Sequence, residues 1–268
     1  MQNNAEKIVA RYILNQRIAQ VVAALCIPVP VLIYLFQPSL ILFVVETIVF
    51  VFILYAFRII CAFFNITKLN SILVRQCDPE TFISVFQLLK TKSVFRKRIT
   101  NVNLNIAYGL SLQGKYQEAR DILREINIYA HRPNLILYYI TIYAFCAKML
   151  EEYDHVQWSL SEAIRIEGTQ KLSKAARKAA NREIKTLKCD LDEYNKQYDL
   201  ALETAKECFI SAIQPLAKIT SAYSLAKLHF LKGDYASAIT KCKYVIKHGN
   251  KLHCVVLARQ LLEECEKL

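Results

Sequence analysis

Histidine and cysteine are the residues of this chain best suited to bind a metal or to act as nucleophiles, and their spacing supports neither role. The nearest group is His248, His253 and Cys254, where a five-residue offset does not put two ligands on one helix face. The nine cysteines are odd in number and form no Cys-x-x-Cys pair. No phosphate-binding glycine loop and no Gly-x-Ser-x-Gly or His-Glu-x-x-His motif occurs. We therefore expect no catalytic residue, no metal and no cofactor, and we do not expect an enzyme.

A carboxyl group inside an apolar stretch is the other candidate for chemistry. Glu46 and Arg58 alone interrupt the run from Leu40 to Phe64, and a charge in lipid is costly. Pro28 and Pro30, in the preceding apolar run, free helix carbonyls to which a protonated Glu46 could donate a hydrogen bond. We favour this packing role. A contact between copies in a homo-oligomer and the handling of protons or ions stay open as alternatives.

Two apolar runs must position this carboxyl, residues 18–36 and residues 40–64. Roughly 20 apolar residues cross a bilayer as a helix, and neither run has the polar stripe of a buried core helix. With the uncharged Gln37-Pro38-Ser39 between them, the runs predict a transmembrane helical hairpin over residues 18–64. A cleaved signal peptide is the alternative for the first run, which lacks a small-x-small cleavage site. A re-entrant hairpin is the alternative for the pair.

Basic residues flank the predicted hairpin and orient it. The net charge of +12 is densest in residues 65–100, which hold seven basic and two acidic residues, whereas residues 18–64 carry no net charge. Because basic flanks stay cytoplasmic, residues 1–17 and the whole chain from residue 65 are predicted to be cytoplasmic. The absence of paired cysteines fits that reducing compartment. Five of the basic residues also suit anionic lipid headgroups at the membrane surface: Lys90, Lys92, Arg96, Lys97 and Arg98.

Beyond the hairpin the composition and the pattern are helical. Only 5 glycines and 6 prolines argue against a many-stranded sandwich or barrel, and 54% hydrophobic residues argue against disorder. Residues 65–100 predict a juxtamembrane helix pair, in which Asp78 caps a helix that starts at Pro79. That helix has an apolar face of Phe82, Val85, Phe86 and Leu89. We therefore predict an all-α protein.

A short segment recurs within residues 101–268. It reads Gly-Lys-Tyr-Gln-Glu-Ala from Gly114 and Gly-Asp-Tyr-Ala-Ser-Ala from Gly233, with weaker copies around Tyr153 and Tyr198. The four tyrosines of these copies, at 116, 153, 198 and 235, are 37, 45 and 37 residues apart, a period typical of helical solenoids. The glycine tolerates the left-handed turn that ends one helix, and the small residue after the tyrosine lets the next helix approach closely.

These segments resemble tetratricopeptide repeats. The matching residues are Ala107, Gly114, Tyr116 and Ala119 in the first repeat, Tyr153 in the second, Tyr198 and Ala201 in the third, and Ala226, Gly233, Tyr235 and Ala238 in the last. The resemblance implies a solenoid of about four helix pairs over residues 101–268 with a capping helix at about 252–268; the register of the third repeat stays open. The layout, with its Cys-Asp-Pro-Glu turn at residues 77–80, is similar to that of membrane-anchored tetratricopeptide proteins of Gram-positive bacteria.

The resemblance also implies a concave groove on the first helices of the repeats. Its residues are Tyr108, Leu112, Tyr138, Phe145, Lys148, Tyr223 and Lys227. Such a groove suits an extended peptide or a helix, although several of these side chains could instead pack only between repeats. A basic helix face from Lys171 to Lys188 is typical of a solvated surface, with acidic lipid or an acidic partner as the alternative. No recognised motif accompanies it, so we expect no nucleic acid partner.

These features together predict a multi-pass protein of the cell membrane that acts as an adaptor. The cytosolic repeats would offer a scaffold for a protein or peptide partner, and the hairpin would hold them at the bilayer. The alternative is an accessory or regulatory subunit of a membrane transporter or complex, in which the transmembrane hairpin makes the key contacts. Both are analogies at the level of the fold.

Overall fold

The computed structural model describes residues 2–26, 35, 39–92, 99–168 and 172–268. These residues form twelve α-helices and one short 3-10 helix, and no strand occurs among them. The chain divides into two compact units, Met1–Ser71 and Ile72–Leu268. The predicted all-α class is confirmed for the described part of the chain.

The first unit contains helix α1 (Gln2–Cys26) and most of helix α2 (Leu40–Val74). No glycine or proline interrupts α2. Within it, Phe43–Val74 is long and apolar enough to cross a membrane. Its most apolar stretch of 18 residues has a mean hydropathy of 2.4 and contains no buried residue. Phe52 and Phe64 are 72% and 67% exposed. Such exposure of apolar side chains is unfavourable in water and normal in lipid.

The predicted hairpin is only partly within the described residues. Helix α1 includes residues 18–26 of the first apolar run, while residues 27–34 and 36–38, with most of the turn, lie outside the described part. Residues 2–17, predicted as a cytoplasmic segment, are helical and continuous with the start of that run. Within this unit, the Asn15 side-chain amide donates a hydrogen bond to the Asn65 side-chain carbonyl at 3.2 Å.

The second unit is a succession of short helices after the end of α2. They are α3 (Pro79–Thr91), α4 (Ile99–Leu112), α5 (Tyr116–Arg124), a 3-10 helix (Ile128–Ala130), α6 (Pro133–Met149), α7 (Tyr153–Glu167), α8 (Lys174–Tyr194), α9 (Tyr198–Ser211), α10 (Pro215–Leu231), α11 (Tyr235–His248) and α12 (His253–Glu266). From α3 onward each α-helix packs against the next, and α4 also contacts α6, α6 contacts α8, and α10 contacts α12. The helices are therefore stacked in pairs.

The turns inside the pairs share one backbone feature. A residue with positive φ follows α2, at Cys77, and the first helix of each of the four later pairs, at Gly114, Glu151, Lys196 and Gly233, with φ between 52° and 84°. These positions are 37, 37, 45 and 37 residues apart. From Gly114 onward the next residue's amide bonds back to the carbonyl five residues earlier, as in Gln197 N–Asp192 O at 2.8 Å. This is the hydrogen bond of a Schellman helix end.

The shared turn defines the repeat better than the glycines do. Glycine adopts positive φ most easily, yet only two of these five turns have a glycine there, Gly114 and Gly233. The other three turns have residues with side chains. The third pair turns at Lys196, two residues before Tyr198, which places its helices in the same register as the others. Cys77 makes a turn of the same kind between the end of α2 and α3, before the four pairs in residues 101–268.

The small residues predicted to let helices approach lie in the core. Ala107, Ala119, Ala201, Ala226 and Ala238 are all fully buried. The anchor tyrosines are half-buried. Three of them contact aromatic neighbours, as in the stacking of Tyr153 on Tyr194 with ring centroids 3.8 Å apart, and Tyr198 packs against a buried apolar cluster.

Helix α3 begins and packs as the sequence predicts. The Asp78 carboxylate accepts a hydrogen bond from the Thr81 amide at 3.1 Å, with Pro79 in the first helical position. Its predicted apolar residues Phe82, Val85, Phe86 and Leu89 are all buried.

Candidate partner-binding surface

The residues predicted to form a groove lie on the first helices of three pairs. Tyr108 and Leu112 are on α4, Tyr138, Phe145 and Lys148 are on α6, and Tyr223 and Lys227 are on α10. Leu112 is 6% exposed and belongs to the core. The other six are half-buried.

Aromatic contacts connect α4 with α6. The rings of Tyr108 and Tyr138 meet edge to face with centroids 5.7 Å apart, and the Tyr138 hydroxyl donates a hydrogen bond to the Asn105 side chain at 3.2 Å. Tyr116, at the start of α5, meets Phe145 edge to face at 6.0 Å. Burial raises the pKa of Tyr108 to about 12. These tyrosines are therefore neutral and act through their rings and hydroxyl groups.

The two predicted lysines are paired with acidic residues of α8. The Lys148 ammonium contacts the carboxylates of Asp190 and Glu193, the latter at 3.2 Å. The Lys227 ammonium lies 2.6 Å from the other Glu193 oxygen. The side chain of Glu193 is 5% exposed and that of Lys148 is 12%, whereas that of Lys227 is 40% exposed. Only Lys227 is thus open to solvent on a substantial part of its surface.

Charge pairing outweighs the desolvation of Glu193, whereas burial raises the pKa of Asp190 in spite of its contact with Lys148. Burial by itself would raise the pKa of Glu193, but the ammonium groups of Lys148 and Lys227 outweigh it, and the pKa is lowered. Tyr223 lies close enough to feel the charge of Lys148, and burial raises its pKa to about 12. The four charged side chains therefore form one neutral network beside a tyrosine.

Glu183 is a third acidic residue of α8, and it lacks such a cation. Its carboxylate bonds with the Thr141 side chain of α6, and its charge acts on Tyr108. Burial raises the pKa of Glu183 to about 7, the nearby Asp190 acts in the same sense, and Arg182 acts against it. We call the surface formed by Tyr108, Tyr138, Lys148, Glu183, Asp190, Glu193, Tyr223 and Lys227 the inner face.

The acidic half of the inner face was missed by the sequence analysis, although a signal for it exists. Glu183, Asp190 and Glu193 are spaced by seven and three residues, which puts them on one side of a helix. The sequence analysis considered only the basic residues of this helix. All six of those in α8 are exposed, as expected of a solvated face: Lys174, Arg177, Lys178, Arg182, Lys185 and Lys188. Lys171 lies outside the described residues.

The end of the second unit contacts its beginning, which the sequence analysis did not predict. The Asn250 side-chain amide donates to the Gln76 carbonyl at 2.7 Å, and the Lys251 amide donates to the Cys77 carbonyl at 3.3 Å. The Lys251 ammonium lies 3.2 Å from Asp78 and 3.1 Å from Glu80. The turn between α11 and α12 therefore connects the end of this unit to its beginning.

His253 extends this contact to the turn between α4 and α5. Its ring meets the Tyr116 ring edge to face at 5.9 Å. It also lies over Gly114, where an added Cβ would come within 2.6 Å of it. The helices of this unit from α3 to α12 thus form a closed circuit, in which residues 250–253 meet residues 76–80 and 114–116.

The remaining predicted site residues lie outside this surface. Glu46 is half-exposed on α2, and the prolines predicted to face it lie outside the described residues. Lys90 and Lys92 are exposed, whereas Arg96, Lys97 and Arg98 lie outside the described part. Among the described residues no three His, Cys, Asp or Glu side chains are grouped so as to hold a metal ion.

Comparison with known proteins adds no further assignment. No family model, no curated protein and no solved structure matches the chain.

Proposed function

We propose that this protein is a membrane-anchored adaptor that presents its tetratricopeptide-like helix pairs to a protein or peptide partner in the cytosol. One observation carries the proposal: an apolar helix with exposed side chains, Phe43–Val74, leads within five residues into stacked helix pairs. In the proposed topology residues 18–36 and 40–64 both span the bilayer. The basic flanks then hold the two termini on the cytoplasmic side.

The chemistry of the inner face supports a peptide or protein as the partner. Tyr108, Tyr138 and Tyr223 offer apolar rings with polar ends, the combination that peptide-binding surfaces favour. The paired charges of Lys227 and Glu193 could exchange their mutual contact for contacts with a bound chain, since Lys227 is 40% exposed. Neutral tyrosines beside a neutral charge network favour a partner that binds by shape and hydrogen bonds.

A second candidate has an observation of its own. No residue in the most apolar window of α2 is buried, and Glu46 is half-exposed beside it. A helix with a free surface and an intramembrane carboxyl group suits contact with another membrane protein. The protein would then be an accessory or regulatory subunit of a transporter or membrane complex, and the helix pairs would regulate it.

Site-specific photo-crosslinking of the full chain in native membranes separates the two candidates. A crosslinking amino acid replaces Tyr138 on the inner face, Phe52 on α2, or Leu200, a 50% exposed position on α9 that serves as the control. The adaptor predicts a soluble protein or peptide attached at position 138 and not at 200. The accessory subunit predicts a membrane protein attached at position 52 and none at 138. No product at 138 would count against the adaptor.

A further inference from the structure

The turn between α9 and α10 exposes apolar side chains to solvent. Ile210 and Ile213 are 81% and 95% exposed, more than any other large apolar side chain that the structure describes in the second unit. Helix α9 ends at Ser211 and Pro215 occupies the first position of α10, so residues 212–214 form a short connection outside both helices. A side chain that is 95% exposed lies in no groove. The two isoleucines therefore project from the surface.

Two lysine side chains lie beside this turn without a carboxylate partner. The Phe209 ring, in the last turn of α9, has the Lys241 ammonium 4.1 Å from its centroid and the Lys218 ammonium 5.3 Å from it. Neither ammonium forms an ion pair with a residue of the described part of the chain. Glu207, an acidic residue of the same helix, pairs with Lys185 at 2.8 Å instead. Both positive charges therefore stay available to an anionic ligand.

Phe209 holds these two cations in place. It packs against a buried cluster of α8, α9 and α10 that includes Leu225, and its ring meets Tyr244 of α11 edge to face with centroids 5.9 Å apart. An ammonium group over an aromatic ring is attracted by the ring and keeps N–H donors free for an oxygen acceptor. Lys206, one helical turn before Ile210, adds an exposed cation. The turn thus combines projecting apolar side chains with positive charge.

We propose that this turn binds the surface of the bilayer, with anionic phospholipid as its ligand. The two isoleucines enter the boundary between headgroups and acyl chains, and the lysines contact the lipid phosphates. A peptide would need a groove, which these side chains do not line. We call the following residues the turn patch: Lys206, Phe209, Ile210, Ile213, Lys218 and Lys241.

The inference rests on the membrane anchoring proposed above and adds a second contact with lipid. The second unit begins at Ile72, within the helix whose apolar part is proposed to span the bilayer, so it is held near the membrane surface. Tethering raises the local concentration of lipid around the turn patch, so even a weak contact forms. That contact gives the helix pairs a fixed orientation at the membrane while they bind a partner.

Single-tryptophan variants and lipids with brominated acyl chains test the contact in the full chain. Trp158 is the one tryptophan, so Trp158→Phe gives a background without tryptophan fluorescence. In this background we compare Ile213→Trp in the turn patch, Leu200→Trp at the other end of α9, and Phe52→Trp in the apolar helix, three exposed positions. Each variant is placed at one chain per nanodisc, which excludes contact with a second copy. The discs contain phosphatidylcholine alone or with about a third phosphatidylglycerol.

Bromine quenches tryptophan only near the acyl chains. We expect it to lower the fluorescence of Ile213→Trp about twofold in the discs with phosphatidylglycerol, and to leave Leu200→Trp unchanged. Equal fluorescence of Ile213→Trp with and without bromine in those discs would overturn the proposal. Quenching of Leu200→Trp to the same extent would show that the contact does not belong to the turn patch, and the proposal would be wrong.

Charge reversal tests the lysines of the turn patch. Adding Lys218→Glu and Lys241→Glu to Ile213→Trp should abolish the quenching, because attraction to anionic lipid becomes repulsion. Lys174→Glu with Lys178→Glu makes the same change of charge on the exposed face of α8 and should leave the quenching in place. An equal loss in both would assign the attraction to the net charge of the unit and contradict the proposal.

The apolar half of the turn patch and the anchor are tested separately. Ile210→Ser alters an exposed side chain without changing the charge, and it should weaken the quenching of Ile213→Trp; unchanged quenching would count against insertion of the isoleucines. Phe52→Trp should be quenched in both kinds of disc if α2 spans the bilayer. Quenching at position 52 without quenching at 213 would leave the anchor standing and overturn the turn patch. Quenching at 213 without quenching at 52 would do the reverse.

Discussion

Helix α8 places opposite charges on its two sides, and single residues there decide the electrostatics of the inner face. Its six exposed basic residues face solvent, while Glu183, Asp190 and Glu193 turn toward α6 and α10. Lys148 pairs with both Asp190 and Glu193, and Lys227 pairs with Glu193 as well. Among the described residues Glu183 bonds with the Thr141 side chain and has no ion pair, although the charge of Arg182 acts on it. A desolvated carboxyl group that is not paired with a cation is costly when ionised, so its effect on stability depends on pH.

Glu183→Gln should change the pH dependence of stability in a defined direction. Burial raises the pKa of Glu183 from 4.5 to about 7, so between these values the folded chain keeps a proton that the unfolded chain has lost. The wild type therefore loses stability as pH rises through this window, and the loss is complete above pH 7. Glutamine carries no charge, and we expect the variant to gain about 3 kcal/mol on the wild type between pH 5 and pH 8.

Urea unfolding of the full chain in detergent micelles, followed by circular dichroism at pH 5 and pH 8, measures this difference. Glu203→Gln, which alters an exposed carboxyl group on α9, serves as the control and should show no such gain. A Glu183→Gln chain whose stability follows the wild type at both pH values would contradict the assignment.

The helix pair is the element that repeats, and its turn is more regular than its sequence. Five turns adopt positive φ, but three of them do so with Cys77, Glu151 or Lys196 in place of glycine. Side chains with a Cβ pay a penalty in this conformation, so these turns are held by the packing of the helices on either side. The sequence predicted the two glycine turns, because glycine is the local signal for such a helix end. It left the register of the third pair open for lack of that signal.

Lys196→Gly should stabilise the protein, although it removes a side chain. At a φ of 61° the substitution relieves strain, and we expect a gain of about 0.5–1 kcal/mol after the extra entropy of the unfolded chain is counted. Lys188→Gly makes the same change at an exposed position inside α8, where glycine should cost about 1 kcal/mol. Thermal unfolding of both variants beside the wild type measures the two shifts. Shifts of the same sign would show that the turn at Lys196 is not strained.

At the scale of the whole molecule, an apolar helix and a set of stacked helix pairs belong to two compact units of one chain. The combination accounts for a chain that is 54% hydrophobic and yet carries a net charge of +12. The apolar excess belongs to residues 18–64, and the positive charge is densest in residues 65–100. In the described part, one helix meets the length and hydropathy of a membrane span. The second span and the orientation are predictions from the sequence.

Reporter fusions test the two-span topology. We expect alkaline phosphatase to be active when fused after Ser39 and inactive when fused after Lys92 or Leu268, because basic flanks stay in the cytoplasm. Green fluorescent protein should give the opposite result at each position. Activity after Leu268 with none after Ser39 would reverse the orientation. Inactivity at all three positions would indicate a re-entrant hairpin or a first run that does not span.

What could be predicted from the sequence was local in the chain. The apolar run of α2 has no glycine or proline, and the core positions of α3 follow the helical period. Asp78, directly before α3, accepts a hydrogen bond from the amide of Thr81, three residues further on. Each of these features depends on neighbours within one or two turns of helix.

The contacts of the inner face and of the closed circuit are distant in sequence. The acidic partners of Lys148 lie 42 and 45 residues away, and Lys251 meets Asp78 across 173 residues. Such contacts depend on how the small rotations of successive helix pairs add up until the last pair returns to the first. The residue pattern of a single pair does not specify the accumulated rotation. The closed circuit and the charge network of the inner face could therefore be seen only in the tertiary structure.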